Sequence, residues 1–283
     1  MPAKEPGFVK ELALEGWRDM RSRPLMLLIV SASTLPFVFL LNFVISSASA
    51  GLDLALFFSG YAICFALYFL FWGMAVILYN GQSRQKGATS YRDAFNAMES
   101  WAWPCFLTGL VAGLVSVIAF MIAQLAVGLL LSFLVAGQSS PGRLIALSYI
   151  HFYLSYLAAD LAIVFIVLVP QMLQLERGRR VEEVLRASYQ KIKEKYREAF
   201  FLFIIPELVT RTLLIGALFL ISRVPGVVPI FILLLLSMAI LEGGKTAFVA
   251  AAFNHFYYYL LEEEKQKRKA KPKKQPQKQA KRR

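Results

Sequence analysis

A hydrocarbon core of about 30 Å takes about 20 residues of α-helix to cross, and six apolar stretches of this chain reach that length. They lie at about 25–46, 54–79, 103–136, 145–175, 200–222 and 227–260. An open sheet or bare loop at that depth would leave backbone N–H and C=O groups unpaired, so each stretch is read as a helix. Composition agrees: 58% of the 283 residues are hydrophobic and mean hydropathy is +0.56, far too apolar for a soluble fold of this size. The expected fold is all-α, a polytopic transmembrane helical bundle with six spans. It divides the chain into a cytoplasmic amphipathic segment at 1–24, a membrane domain at 25–261 and a disordered basic cytoplasmic tail at 262–283.

Basic residues set the orientation. Lys4, Lys10, Arg18, Arg21 and Arg23 precede the first span, and Arg84, Lys86 and Arg92 link the second to the third. Eight more lie between Arg177 and Arg197 and eleven follow the sixth span, whereas the opposite side has only Arg143 and Arg223. Short cytoplasmic loops carry the excess of Lys and Arg, so both termini of a multi-pass cell-membrane protein are expected in the cytoplasm. The net charge of +13 is largely this asymmetry and gives no sign of sequence-specific DNA binding. The first apolar run is full length and lacks a small-residue cleavage pattern, so it reads as a signal anchor. Cys64 and Cys105 fall in or beside spans and read as packing residues rather than a disulfide framework.

An amphipathic pattern recurs ahead of alternate spans. Phe8, Val9, Leu12, Ala13, Gly16, Trp17 and Met20 form an apolar stripe at helical spacing, ended by Pro24. Tyr91, Ala94, Phe95, Met98 and Trp101 repeat it before Pro104, and Val181, Val184, Leu185, Ser188, Ile192 and Ala199 repeat it before the fifth span. Such stripes suit helices lying at the cytoplasmic interface. The layout reads as three repeats of an interfacial helix plus a two-span hairpin, with "SYRDAFNA" from Ser90 matching "RVEEVLRA" from Arg180, although amphipathic periodicity alone also produces that match. With its basic glycine-containing links "GQSRQKG" and "LERGRR", this layout resembles uncharacterised prokaryotic six-span membrane protein families over about residues 8–260. These include the membrane domain joined to some glycerophosphodiester phosphodiesterases. The resemblance implies the fold only, since the chain has no room for the phosphodiesterase domain.

Five charges fall inside the apolar stretches: Asp160, Glu207, Arg211, Glu242 and Lys245. At roughly 2.5 to 3.5 kcal/mol each at the centre of a span, they cost about 15 kcal/mol before pairing. Arg211 lies about 16 Å into its span at the helical rise, and the others fall at comparable depth. Glu207 and Arg211 are spaced i, i+4 and Glu242 and Lys245 i, i+3, so each pair shares a helix face. With three carboxylates and two cations, one carboxyl is expected to carry a proton or bind a cation. Pro206, Gly243 and Gly244 are hinge candidates, because interrupted spans beside ionisable groups mark transport sites. The competing reading is a structural ion-pair network, with the glycines letting helices approach closely. Gly109 and Gly113 in "GLVAG" read as such packing glycines.

The remaining polar residues exclude more than they include. His151 and His255 are expected at opposite membrane faces, so neither metal nor cofactor is expected. There is no phosphate-binding glycine loop, nucleophile elbow or His-Glu metalloprotease spacing, and no enzymatic activity is expected. The tail offers Lys267, Arg268, Lys269, Lys271, Lys273, Lys274, Lys281, Arg282 and Arg283 to anionic lipid headgroups or, alternatively, to RNA such as a ribosome. Two functional readings follow. One is a permease for an ion or small polar solute acting through the five charges. The other is a non-transporting membrane-organising or assembly factor that acts through interfacial helices and the tail.

Overall fold

The computed structural model describes residues 7–24, 31, 54–83, 91–135, 141–175, 180–221 and 223–270. The first expected span, 25–46, lies outside these residues apart from Ser31, as does everything beyond Ala270. Among the described residues the elements are helical: α1 Gly7–Ser22, α2 Leu54–Ser83, α3 Tyr91–Val135, α4 Pro141–Ile163, α5 Val169–Leu175, α6 Val181–Glu194, α7 Tyr196–Ile221 and α8 Val227–Ala270. A single 3-10 turn, Val164–Ile166, separates α4 from α5. Among the described residues, five stretches are long and apolar enough to cross a membrane: Ser59–Asn80, Trp101–Phe133, Leu157–Gln174, Tyr196–Ala217 and Ile232–Lys267. Such helices are compatible with an integral membrane protein.

Small residues set the closest helix approaches. A Cβ at Gly109 would lie 2.6 Å from Ala66 Cα, and one at Gly113 2.9 Å from Ala62 Cα, so α3 seats backbone to backbone on α2. A Cβ at Gly16 would lie 2.8 Å from Ala252 N, which brings α1 onto α8 in the same way. Between such contacts, side chains reach across to backbone carbonyls, the interhelical hydrogen bonds that a bundle without a hydrophobic drive depends on. Asn254 donates to Val76 O at 3.0 Å, Gln174 to Gly73 O at 2.7 Å and Arg23 to Leu78 O at 3.1 Å. α8 is thereby packed against α1, α2 and α7, while α3 carries α4 on its far side.

The amphipathic stripes of α1 and α6 turn inward. Leu12, Gly16 and Met20 of α1 and Val184, Ser188 and Ile192 of α6 are buried at i, i+4 spacing. His255 of α8 ties α1 down, with Nε2 at 2.8 Å from Asp19 Oδ2 and Nδ1 at 3.2 Å from Glu15 Oε2. The expected interfacial helix before the third span, by contrast, is not a separate element. α3 runs unbroken through Pro104: proline removes one backbone donor, and residues on both sides of it are packed against α2. Cys105 donates to Phe69 O, and Gly73 accepts the Trp101 ring against its Cα.

Three further expectations are corrected. The span at 145–175 is broken, and the spans carrying the hinge candidates are not: α7 passes Pro206 and α8 passes Gly243 and Gly244 as continuous helix. Pro170 has no N–H to return to Ile166, and the chain tightens to a 3-10 turn before it. Ser188 of α6 donates to the Phe165 carbonyl at 2.8 Å, so the break is capped from outside. Gly243 is used for contact instead, since a Cβ there would lie 2.5 Å from Ser31 Cα. Residues 262–270, expected within the disordered tail, are the last turns of α8. They are held by ion pairs of Glu264 with Lys191 and of Glu263 with Lys195 (3.2 Å) and Lys267 (3.2 Å).

This packing separates two kinds of glycine. Gly109→Ala must displace backbone, and overpacking of that kind costs about 1–3 kcal/mol. Nothing lies within 4 Å of a Cβ at Gly216. Gly216→Ala is therefore expected to leave stability unchanged or raise it by up to about 1 kcal/mol through helix propensity. Unfolding of both variants in detergent checks the contrast.

Candidate functional site

The five charges expected near one depth meet in one cluster, supplied by α4, α7 and α8. Glu207 is its centre, with a side chain only 1% exposed. Arg211, one turn along α7, places Nε 2.6 Å from Glu207 Oε1, a close ion-pair contact whose angle falls outside hydrogen-bond geometry. Lys245 donates from α8 to Glu207 Oε2 at 2.6 Å and also pairs with Glu242 one turn back on its own helix. Arg211 reaches across to Glu242 with Nη1 at 3.4 Å. Glu207 and Glu242 therefore each hold both cations, and the four residues close a ring between α7 and α8.

Asp160 on α4 stands at the edge of that ring. Its only ion pair among the described residues is a 3.7 Å contact with Arg211 Nη2, too long for a hydrogen bond. Two cations already serve two carboxylates at shorter range, so Asp160 is the acid of the cluster with the weakest cation contact. Three residues further on, at Ile163, the α4 helix gives way to the 3-10 turn. The carboxyl with the weakest partner thus sits next to the one break in a described span.

A cavity of about 70 Å³ opens beside the cluster, lined by Asp160, Arg211, Glu242, Lys245 and Thr246 and closed by Tyr68, Trp72 and Phe203. A water molecule needs roughly 10–15 Å³ of such volume, so the space suffices for a few waters or a dehydrated cation. Thr246 donates its hydroxyl hydrogen to Glu242 O at 2.7 Å, which leaves Tyr68 to donate to Thr246 Oγ1. Tyr68 completes the site and was not singled out from the sequence. It belongs to a face of α2 on which Tyr61, Phe65, Tyr68 and Trp72 follow at three- and four-residue spacing, with ring centroids about 6 Å apart. The two tyrosine hydroxyls in an otherwise apolar aromatic face are the available signal.

The other sequence candidates lie elsewhere. Pro206 and Gly244 line a groove on the opposite side of Lys245, and Gly243 meets Ser31. His151 bonds Gln124 O at 2.9 Å between α3 and α4, far along the chain from the His255 clamp. Of the tail residues, Lys267 is exposed but paired with Glu263 and Glu194, and Lys269 is exposed at the end of α8. Lys271, Lys273, Lys274, Lys281, Arg282 and Arg283 lie outside the described residues, and so does the Arg268 side chain. No group of three or more His, Cys, Asp or Glu residues is arranged to hold a metal among the described residues. No protein-family model matches the chain, and no curated protein sequence matches it.

The arrangement separates the roles of its members. Asp160→Asn keeps the shape of the side chain and leaves both ring carboxylates paired, so stability in detergent is expected to stay equal or rise. Arg211→Met strands a carboxylate in the interior, and breaking a buried pair costs about 3–5 kcal/mol. Unfolding measurements on the two variants read the difference directly.

Proposed function

We propose that the protein is a multi-pass cell-membrane permease, with both termini cytoplasmic, that moves a cation or a small cationic solute past the five-charge cluster. The observation that carries this reading is the uncompensated carboxyl. A network serving architecture alone is complete with two acids and two cations, whereas a third acid, held only by a 3.7 Å contact with Arg211, costs solvation whenever it ionises. In the proposed cycle Asp160 takes the proton or cation in the adjoining cavity. Movement of α4 about the 163–168 break then changes its distance from Arg211, which competes for the same carboxylate and drives release. Glu207, Glu242 and Lys245 hold Arg211 in register, and no covalent chemistry is involved.

A second reading rests on α8. The helix extends about 66 Å at the helical rise, roughly twice the hydrocarbon thickness, and its far end exposes Lys265, Lys267 and Lys269. That suits recruitment of anionic lipid or RNA to a membrane-organising factor.

Charge movement measured on liposomes containing the protein separates the two. The permease reading expects a current under an imposed proton, sodium or potassium gradient, reduced at least tenfold in Asp160→Asn and unchanged after deletion of 271–283. The absence of current for all three ions, or a current indifferent to Asp160→Asn and Arg211→Met, overturns it.

A further inference from the structure

A groove of about 1140 Å³ runs between α1, α7 and α8 on the side of Lys245 away from the charge cluster. That exceeds the usual range for a small-ligand pocket, about 300–1,000 Å³. Phe8 and Ala13 of α1, Phe201 and Val209 of α7, and Ile240 and Phe248 of α8 make its walls. From Arg197 to Leu213 it follows α7 for about 24 Å, enough to take the hydrocarbon of one leaflet, about 15 Å deep. Its mouth is basic. Lys10 and Arg197 are both exposed there, and neither has a carboxylate partner among the described residues. Arg197 lies over the Phe201 ring at 6.0 Å from the centroid, which holds the guanidinium above the groove. The carboxylate beside them, Glu198, is electrostatically coupled to Lys195. Trp17, half exposed, also lines the groove, a residue type favoured at headgroup level.

We infer that this groove is a binding site for one anionic phospholipid of the cytoplasmic leaflet, with the headgroup phosphate between Lys10 and Arg197 and an acyl chain along the α7–α8 wall. An extended peptide segment would bring unpaired backbone N–H and C=O groups onto an apolar wall that offers them few partners, whereas an acyl chain brings none. A neutral lipid would leave two unpaired cations at the mouth. The bound chain would fill the gap between α1 and α7 and so fix α1 against the bundle. The site shares the membrane orientation of the proposed permease but not its chemistry, and it is read out by lipid retention rather than flux.

The test is native mass spectrometry of the full chain released from nanodiscs of equimolar phosphatidylglycerol and phosphatidylcholine. Wild type is expected to retain one phosphatidylglycerol in preference to phosphatidylcholine. In Lys10→Gln/Arg197→Gln that preference should fall about 30-fold, which is about 2 kcal/mol at 1.4 kcal/mol per tenfold. The exposed pair Arg180→Gln/Lys193→Gln should keep it. Ala13→Phe fills the groove with every charge in place and should abolish retention. Equal retention of the two lipids by wild type, the same fall in the Arg180/Lys193 control, or undiminished retention in Ala13→Phe overturns the site. Retention of neither lipid, as when the chain's own segment occupies the groove, also overturns it.

Discussion

The desolvation of five charges is the constraint that organises this bundle. Each is expensive in an apolar interior, and the expense falls only if the helices bearing them meet at one depth and in one rotation. α7 brings Glu207 and Arg211 one turn apart, and α8 brings Glu242 and Lys245 one turn apart. The two pairs face each other so that both cations touch both carboxylates. That ring fixes the register of α7 against α8, and the hydrogen bonds of Asn254, His255 and Tyr258 fix α8 against α2 and α1. Asp160 is the exception to this balance, and the acid with the longest cation contact stands next to the 3-10 turn.

The five charges were legible in the sequence because run length gave their depth and spacing gave their face. Their convergence could be expected on those grounds, but which carboxyl would be left over could not. That depends on reach across helices: Arg211 is long enough to touch three acids, and Asp160 is the one it touches least closely. The apolar runs likewise gave the described spans to within a few residues at most ends, whereas the six-span count and the threefold layout involve residues 25–53, most of which are not described.

The misread positions share a cause. Local propensity alone makes proline and glycine helix breakers, but in a packed span the neighbours decide. Pro104 and Pro206 lie inside continuous helices, while Pro170 follows a turn whose Phe165 carbonyl accepts the Ser188 hydroxyl of another helix. Gly243 would weaken an isolated helix by about 1 kcal/mol, and here its missing side chain is what admits Ser31. The tail boundary was set by the loss of apolar residues after Leu261, yet Glu263 and Glu264 extend the helix by pairing with Lys195 and Lys191 at its side.

The most direct test of the ring is a double-mutant cycle between Glu207→Gln and Lys245→Met, read as unfolding free energy in detergent. Mutual compensation across α7 and α8 predicts that each single change costs about 3–5 kcal/mol and that the double variant recovers at least about 2 kcal/mol of their sum. Strictly additive losses, or singles as stable as wild type, would contradict the claim that these charges hold the bundle in register.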